Sequence, residues 1–182
     1  RTAPVTTAAH PFQHTTWVSG GAAALRKDVG IFTLNARAEV LSDELRSTSL
    51  TAGRYHTRTL SKLAVVPEKA WALADGSRMI AKAGATLDDS NRGGSAVSPV
   101  FELARETEAR PWQRVYVSYA KTTQVPTYTA LNSSAAAGLF RGNPDLGRES
   151  SHTIELGASG ALAEWTTQAA VFYRRDDSLV DW

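Results

Sequence analysis

Apolar and polar residues alternate along the C-terminal part of the chain. Between positions 165 and 174, one set of alternate residues is apolar apart from one threonine and has an aromatic residue at each end: Trp165, Thr167, Ala169, Val171 and Tyr173. The other set mixes Gln168 and Arg174 with Phe172. A period of two predicts a β-strand, because successive side chains of a strand point to opposite faces. We therefore predict a two-faced strand with aromatic ends.

The same alternation predicts further strands upstream. Phe32, Leu34, Ala36, Ala38 and Val40 would face one way, and Thr33, Asn35, Arg37 and Glu39 the other. Further strands are predicted over 61–73, 79–87 and 97–106, with a weaker one over 15–26. The polar face allows two interpretations, because it meets bulk water in a soluble sheet and lines the lumen in a large barrel.

The connections predicted between these strands differ in length. Short turns are expected at 26–30, 74–77, 88–91, 107–111 and 157–163, and 42–61 is expected to be loop plus strand ends. The longest connection is expected over 122–149. Pro67 has no amide donor, so we expect a bulge or an unpaired site there. Short turns that alternate with long loops favour a transmembrane barrel, with 90–96 on the same side as the long loop.

Composition removes several classes of function. The 182 residues include no cysteine, which excludes disulfides, thiol catalysis and cysteine metal sites. Lys plus Arg number 20 against 18 for Asp plus Glu, and the basic residues are scattered, so we expect no nucleic-acid partner. No stretch of about 20 apolar residues is present, which excludes a helical membrane protein.

Residues capable of catalysis or metal binding occur without the spacing that either needs. No serine lies in a G-x-S-x-G elbow, and carboxylates that alternate along a strand, as at Glu102, Glu106 and Glu108, are typical of a solvated face. His10 and His14 flank Pro11, which argues against the helix that a metal-binding pair at this spacing requires. We expect no catalytic residue, no metal and no cofactor.

Two short polar segments have plainer interpretations than the sites they resemble. Asp88, Asp89, Ser90 and Asn91 lack the spaced acidic residues of a calcium loop, so we interpret them as a polar turn. Arg92, Gly93 and Gly94 fit loop flexibility better than an RNA-binding segment. Neither segment therefore enters the candidate site.

A succession of short motifs in 112–182 carries a family resemblance. It consists of Ser118 and Tyr119, then Pro126 to Leu131, then Asn143, Pro144, Leu146 and Glu149, then Glu155, Leu156 and Gly157, and finally Phe172 and Tyr173. In this order and spacing, the stretch resembles the late barrel of TonB-dependent outer-membrane receptors. Trp71, Leu73, Asp75 and Gly76, followed by Ser98 and Pro99, resemble the same family's middle barrel.

The resemblance implies an all-β fold, an antiparallel meander of about eight strands that is part of a large transmembrane β-barrel. We expect one partial barrel domain over 1–182, with the resemblance carried by 61–182 and with 1–60 matched poorly. About 22 strands of about 10 residues exceed this chain's length, so we expect a fragment in which plug, TonB-contacting segment and closing strand are absent. The implied partners are the rest of the barrel, a plug domain, TonB acting through the plug, and outer-membrane lipid.

The implied function is energised uptake of a large solute, such as a ferric siderophore or cobalamin, at the outer membrane of a Gram-negative bacterium. Ligand-binding candidates in the long loop are Gln124, Tyr128, Asn132, Phe140 and Arg141, which offer aromatic and hydrogen-bonding groups. Asn143, Pro144 and Leu146 are expected only to fix the loop's return into the sheet. A soluble β-sandwich binding module, adhesin-like or carbohydrate-binding, is the first alternative, and a β-rich enzyme is the second.

Overall fold

The computed structural model describes residues 13–50, 56–108, 112–133, 142–162 and 164–178. In these ranges the chain forms eight strands and one short helix, in the order β1 (His14–Val29), β2 (Phe32–Ser47), β3 (Thr57–Ala72), β4 (Arg78–Ser90), β5 (Gly94–Glu106), β6 (Trp112–Gln124), α1 (Tyr128–Asn132), β7 (Glu149–Leu162) and β8 (Trp165–Asp177). Among the described residues, no helix is long and apolar enough to cross a membrane.

All eight strands belong to one sheet, and each pairs with its sequence neighbours in antiparallel fashion. This order confirms the predicted meander of about eight strands, with β1 and β8 at the two edges. At one end of the sheet, which we call the turn end, β1 joins β2, β3 joins β4, β5 joins β6 and β7 joins β8. At the other, the loop end, β2 joins β3, β4 joins β5 and β6 joins β7, so the connection at 91–93 shares the side of the long β6–β7 connection as predicted.

The strand register separates an apolar face from a polar face. Across β5 to β8, directly paired residues form two apolar rows, Phe101, Tyr119, Ile154 and Tyr173 in one and Leu103, Val117, Leu156 and Val171 in the other. These side chains are largely exposed, 54% for Leu156 and 71% for Val171. Paired residues of an antiparallel sheet share a face, so the rows form a continuous apolar surface.

Aromatic residues mark both ends of this apolar face. Trp71, Trp112 and Trp165 lie near the turn end, and Tyr119 and Tyr173 lie toward the loop end. A register shift in β6 at Gln113 brings Trp112 opposite Gly160, an apolar-face position. The bulge thereby adds a tryptophan to the apolar face at a place where strict alternation would have pointed it the other way.

The faces predicted from alternation are confirmed. In β2, Leu34 and Ala36 lie on the apolar face, and Asn35 and Arg37 lie on the polar face. In β8, Ala169 and Val171 share the apolar face, while Gln168 and Arg174 share the polar one. Because side-chain direction in a strand repeats every two residues, the period alone sufficed for these positions.

Three predicted turns were wrong, because the polar and small residues at these positions belong to strands. Residues 157–163 were predicted as a turn, but β7 continues to Leu162, and the lack of a side chain at Gly157 leaves room for the Tyr116 ring. Asp88 to Ser90 belong to β4, where Asp88 lies 3.3 Å from the Lys62 ammonium. β1 likewise extends through 26–29, and the chain reverses only at Gly30, whose φ of 61° suits glycine.

Ion pairs connect the strands across the polar face. In one row Lys82 lies between Glu68 and Glu102, and in a second Glu106 lies between Arg78 and Arg114. Arg114 also reaches Glu102 at 2.7 Å and so joins the two rows. Between the rows lie Ile80 and Ala104, which are buried although they face an open side of the sheet. We call the six charged residues of these ion pairs the charge ladder: Glu68, Arg78, Lys82, Glu102, Glu106 and Arg114. Their long side chains cover Ile80 and Ala104.

Pro67 produces a gap in pairing but no bulge. The register between β3 and β4 omits Val66 and Pro67 and resumes unchanged at Glu68 opposite Lys82. Opposite the gap, a Cβ at Gly84 would lie 2.1 Å from the Val65 carbonyl oxygen. The proline removes one ladder hydrogen bond, and Gly84 lets the two backbones approach there.

Gly84→Ala is expected to lower the free energy of unfolding by about 1–3 kcal/mol, because the added methyl group would overlap backbone that cannot rotate away. Chemical denaturation followed by circular dichroism measures this change. Gly21→Ala is the matched control, since a Cβ there meets nothing within 4 Å. Equal effects of the two substitutions would contradict the close approach at Gly84.

Glu102→Gln is expected to destabilise the sheet by about 1–2 kcal/mol, because it leaves Lys82 and Arg114 without a shared anion in a partly buried position. The Glu102 side chain is 21% exposed and lies 3.0 Å from Lys82. Glu39→Gln in the Arg37 pair, where the Arg37 side chain is 60% exposed, should cost less than about 1 kcal/mol. The same denaturation experiment compares them, and a larger loss at Glu39 would refute the role of the charge ladder.

Candidate functional site

The connection between β6 and β7 contains a short helix with a defined start. Thr127 is its N-cap, and its hydroxyl accepts a hydrogen bond from the Ala130 amide at 3.2 Å. Such a cap satisfies one of the amides that a helix leaves unpaired in its first turn. On the return, the Asn143 amide donates to the Ala130 carbonyl at 2.8 Å. Threonine at 127 and the hydrogen bond from Asn143 thus fold this connection locally.

The side chain of Tyr128 extends from this helix to two distant strands. Its hydroxyl donates to the Asp43 carboxylate on β2, and to the Asp43 carbonyl oxygen at 3.0 Å. Arg58 on β3 donates to the same carboxylate from Nε at 3.2 Å and from Nη2 at 2.7 Å. The Arg58 guanidinium also lies 5.2 Å from the centre of the Tyr128 ring. The three side chains form one closed group, which we call the Tyr128 cluster.

Burial makes the Tyr128 cluster a stronger contact than an exposed ion pair. Asp43 is only 7% exposed, and a charge so buried requires partners on its oxygens. Burial, followed by the hydrogen bond to Asp43, raises the pKa of the Tyr128 phenol above its usual range. The phenol therefore stays protonated and donates to Asp43, which leaves the Asp43 carboxylate as the anion that pairs with Arg58.

The loop end also holds a small apolar core. Leu50, Val125, Ala130 and Leu131 are all buried, whereas the apolar face of the sheet is exposed. Leu50 and Ser133 form an isolated antiparallel bridge between the β2–β3 connection and the end of α1. The described part of the β6–β7 connection is therefore packed against the sheet and is not a freely extended loop.

Arg148 anchors the other end of the same connection. It donates from Nε to the Gly93 carbonyl at 2.9 Å, and from Nη2 to the Gly94 carbonyl, at the turn between β4 and β5. Each guanidinium can serve several carbonyls at once because it presents donors in a fixed planar arrangement. The connection is thus attached to β2 and β3 through Tyr128 and to the β4–β5 turn through Arg148.

The predicted ligand-binding residues do not converge on one point. Gln124 is the exposed last residue of β6, and it lines a cleft of about 140 Å³ with neighbours from three strands: Thr122, Thr123, Glu149, Ser150, Ser151, Arg174 and Asp176. Asn132 is 3% exposed, and its Nδ2 has no hydrogen-bond partner in the described structure. Tyr128 belongs to the cluster above, and Phe140 and Arg141 lie outside the described residues. Solute contact by these five residues stays a prediction.

Sequence reasoning missed Asp43, Arg58 and Arg148. Asp43 falls in the stretch 42–61 that was predicted as loop plus strand ends, whereas β2 continues through it to Ser47. Asp43 lies six residues after Arg37 in the same strand, so both side chains point to the polar face. Extending the alternation of β2 would have predicted this direction. Nothing in the sequence links it to Tyr128, which lies 85 positions away.

The other chemical candidates have structural explanations within the described residues. Glu102 and Glu106 belong to the charge ladder. No described group of three or more His, Asp or Glu residues is placed to hold a metal ion, and His10 lies outside the described ranges. Asp89 accepts a hydrogen bond from Ser95 at 2.6 Å across the β4–β5 pair.

Comparison with solved structures shows the fold on which this site is built. The siderophore receptor PirA from Pseudomonas aeruginosa matches with a TM-score of 0.62 and 20% identity, over 90% of this chain and 32% of the PirA chain. The chain thus spans about a third of the length of PirA. A search of curated proteins found no match.

Comparison with protein-family models gives a match over nearly the whole chain. Residues 5–182 match the TonB dependent receptor-like β-barrel. Receptors of this family are transporters of the outer membrane of Gram-negative bacteria. The match includes the first third of the sequence, where motifs gave little sign of relationship. The chain therefore belongs to the TonB-dependent receptor family and contributes β-barrel wall.

Proposed function

We propose that this chain forms part of the barrel wall of an outer-membrane receptor for energised uptake of a large solute, such as a ferric siderophore or cobalamin. The observation that carries the proposal is the two-faced sheet, which has an aromatic-bounded apolar face on one side and an ion-paired polar face on the other. Family membership supplies the class of transport.

The apolar face has the dimensions of a lipid-facing barrel wall. Trp165 and Tyr173 lie eight residues apart on the same face of β8. At about 3.3 Å per residue and a tilt near 40°, they are roughly 20 Å apart along a membrane normal, close to the ~25 Å apolar band of outer-membrane barrels. Lipid is therefore the proposed partner of the apolar face.

The polar face suits the lumen of such a barrel. Its charges are paired within the sheet, as in the charge ladder, so this wall carries alternating charge of both signs. In this family a plug domain occupies the lumen and TonB acts through the plug, and we propose both as partners of the complete receptor. The role is transport, with no catalytic step assigned to this chain.

A siderophore is the favoured solute class, because the structural match PirA is described as a siderophore receptor. The 20% identity with PirA relates the folds and leaves the chemistry of the solute open. The exposed amide of Gln124, the aromatic ring of Tyr128 and the guanidinium of Arg141 would suit a large polar chelate. We propose the long β6–β7 connection as the region that meets it.

The soluble β-sandwich alternative fits the structure less well. A sandwich buries the apolar faces of two sheets against each other. All eight described strands instead form a single sheet, and its apolar rows are exposed without a second layer among the described residues. A lipid-facing wall explains both features.

Uptake in cells tests the proposal. The complete receptor is expressed in a receptor-deficient strain, and the cells are supplied with ⁵⁵Fe-labelled ferric catecholates, ⁵⁵Fe-labelled ferric hydroxamates or radiolabelled cobalamin. We expect accumulation of one of these that is lost without TonB. Receptor that assembles in the outer membrane yet supports no TonB-dependent uptake of any of the three would contradict the proposed function.

Val171→Lys is expected to impair assembly of the complete receptor far more than Gln168→Lys does. A lysine on the lipid face near the midplane costs about 2–4 kcal/mol, and one on the lumen side costs far less. The two positions lie three residues apart in β8 on opposite faces, which makes them a matched pair. Heat-modifiable migration of outer-membrane fractions measures folded barrel, and equal amounts for both variants would refute the assignment of faces.

Simultaneous replacement of Tyr128, Phe140 and Arg141 with alanine is expected to weaken solute binding without loss of barrel assembly, because backbone hydrogen bonds between neighbouring strands hold the sheet together. Affinity is measured on purified receptor with the solute identified by uptake. Replacing Asn143 and Leu146, which are expected only to guide the loop's return, provides the comparison. Unchanged affinity in the triple variant would make the connection a simple linker.

A further inference from the structure

Tyr128 was predicted as a solute contact, but the structure gives its polar atom and its ring other partners. The hydroxyl donates to Asp43, and the ring faces the Arg58 guanidinium. Arg58 in turn holds the second oxygen of the Asp43 carboxylate. A side chain engaged in this way fixes the position of its loop.

The contact bridges a considerable distance across the sheet. The connection leaves the sheet at β6, and Tyr128 reaches β2 and β3, with β4 and β5 lying between. At about 4.8 Å per strand, the connection spans roughly 15–20 Å of the polar face. With Tyr128 attached to Asp43, the described residues 125–133 lie across the loop end of that face.

The attached state carries both gains and costs. The gains are the Tyr128 cluster, the Leu50–Ser133 bridge and four buried apolar residues. The cost is polar burial without compensation, because Asn132 Nδ2 is buried and has no hydrogen-bond partner in the described structure. A buried donor without a partner costs free energy in the closed state, so the Tyr128 cluster and the apolar contacts must outweigh this cost to keep the segment closed.

We propose that Asp43 and Arg58 form a latch that, through Tyr128, holds residues 125–133 of the β6–β7 connection closed across the polar face, and that release of this latch uncovers the loop end of that face. Asp43, Arg58 and Tyr128 are positioning residues in this scheme. The importance of the latch for uptake rests on the proposed function, whereas the latch itself is a property of the receptor without solute.

Cysteine labelling measures the latch directly, because the chain has no natural cysteine. Ala130→Cys introduces a thiol within the connection, at a helix position that is only 3% exposed in the closed state. In the complete receptor, without solute, a membrane-impermeant maleimide should label this cysteine slowly. Adding Asp43→Asn should raise the labelling rate about tenfold, since a hydrogen-bonded buried charge is lost from the closed state.

Two controls separate the latch from general destabilisation. Glu39→Gln removes a carboxylate from the same strand and face, but at the exposed Arg37 pair, and should leave the rate unchanged. Tyr128→Phe keeps the ring and removes only the hydroxyl, and should accelerate labelling as Asp43→Asn does. Heat-modifiable migration verifies that each variant is a folded barrel.

A reversible lock supplies the second test. Leu50 and Ser133 are antiparallel bridge partners, so Leu50→Cys with Ser133→Cys should form a disulfide. Such a disulfide should suppress the fast labelling of Ala130→Cys with Asp43→Asn. Reduction with dithiothreitol, which is removed before the maleimide is added, should restore it, with the label at position 130 distinguished from labels at 50 and 133 by peptide mass spectrometry. A rise of less than threefold in folded Asp43→Asn receptor, or fast labelling that persists after disulfide formation, overturns the latch. Neither result depends on which solute is transported.

Discussion

The need to cover one apolar face is the constraint on which the rest of this structure depends. Eight strands expose Leu156, Val171 and their neighbours on one side, and no described layer packs against them. Exposed apolar area on this scale marks a surface that meets another apolar phase or partner. Under the proposed function, lipid supplies that phase, and the aromatic residues at both ends of the face suit its two interfaces.

The opposite face is stabilised by a different means. Long charged side chains pair across neighbouring strands, and in doing so they cover Ile80 and Ala104. Most of the other buried apolar residues described lie at the loop end, around α1 and Leu50. The described part of the wall thus has no conventional core, and its stability depends on strand pairing, cross-strand ion pairs and the partner that covers its apolar side.

Alternation predicted the direction of side chains in β2 and β8, because one rule of period two governs every position of a strand. It failed at strand ends, since glycine and aspartate have uses beyond turns. Gly157 makes room for the Tyr116 ring, and Asp88 approaches Lys62 on the neighbouring strand. The Tyr128 cluster could not be predicted, because it depends on tertiary contact between residues 85 positions apart.

The most direct test of the two-faced wall is to measure, position by position along β8, whether each side chain meets lipid or water. Single cysteines at each position from 166 to 174 of the complete receptor, reconstituted in liposomes, are labelled with an environment-sensitive fluorophore and exposed to quenchers confined to lipid or to water. The account predicts that odd positions, such as Ala169 and Val171, are quenched from lipid and even positions, such as Gln168 and Arg174, from water. Uniform access of the aqueous quencher to both sets would contradict the two-faced wall.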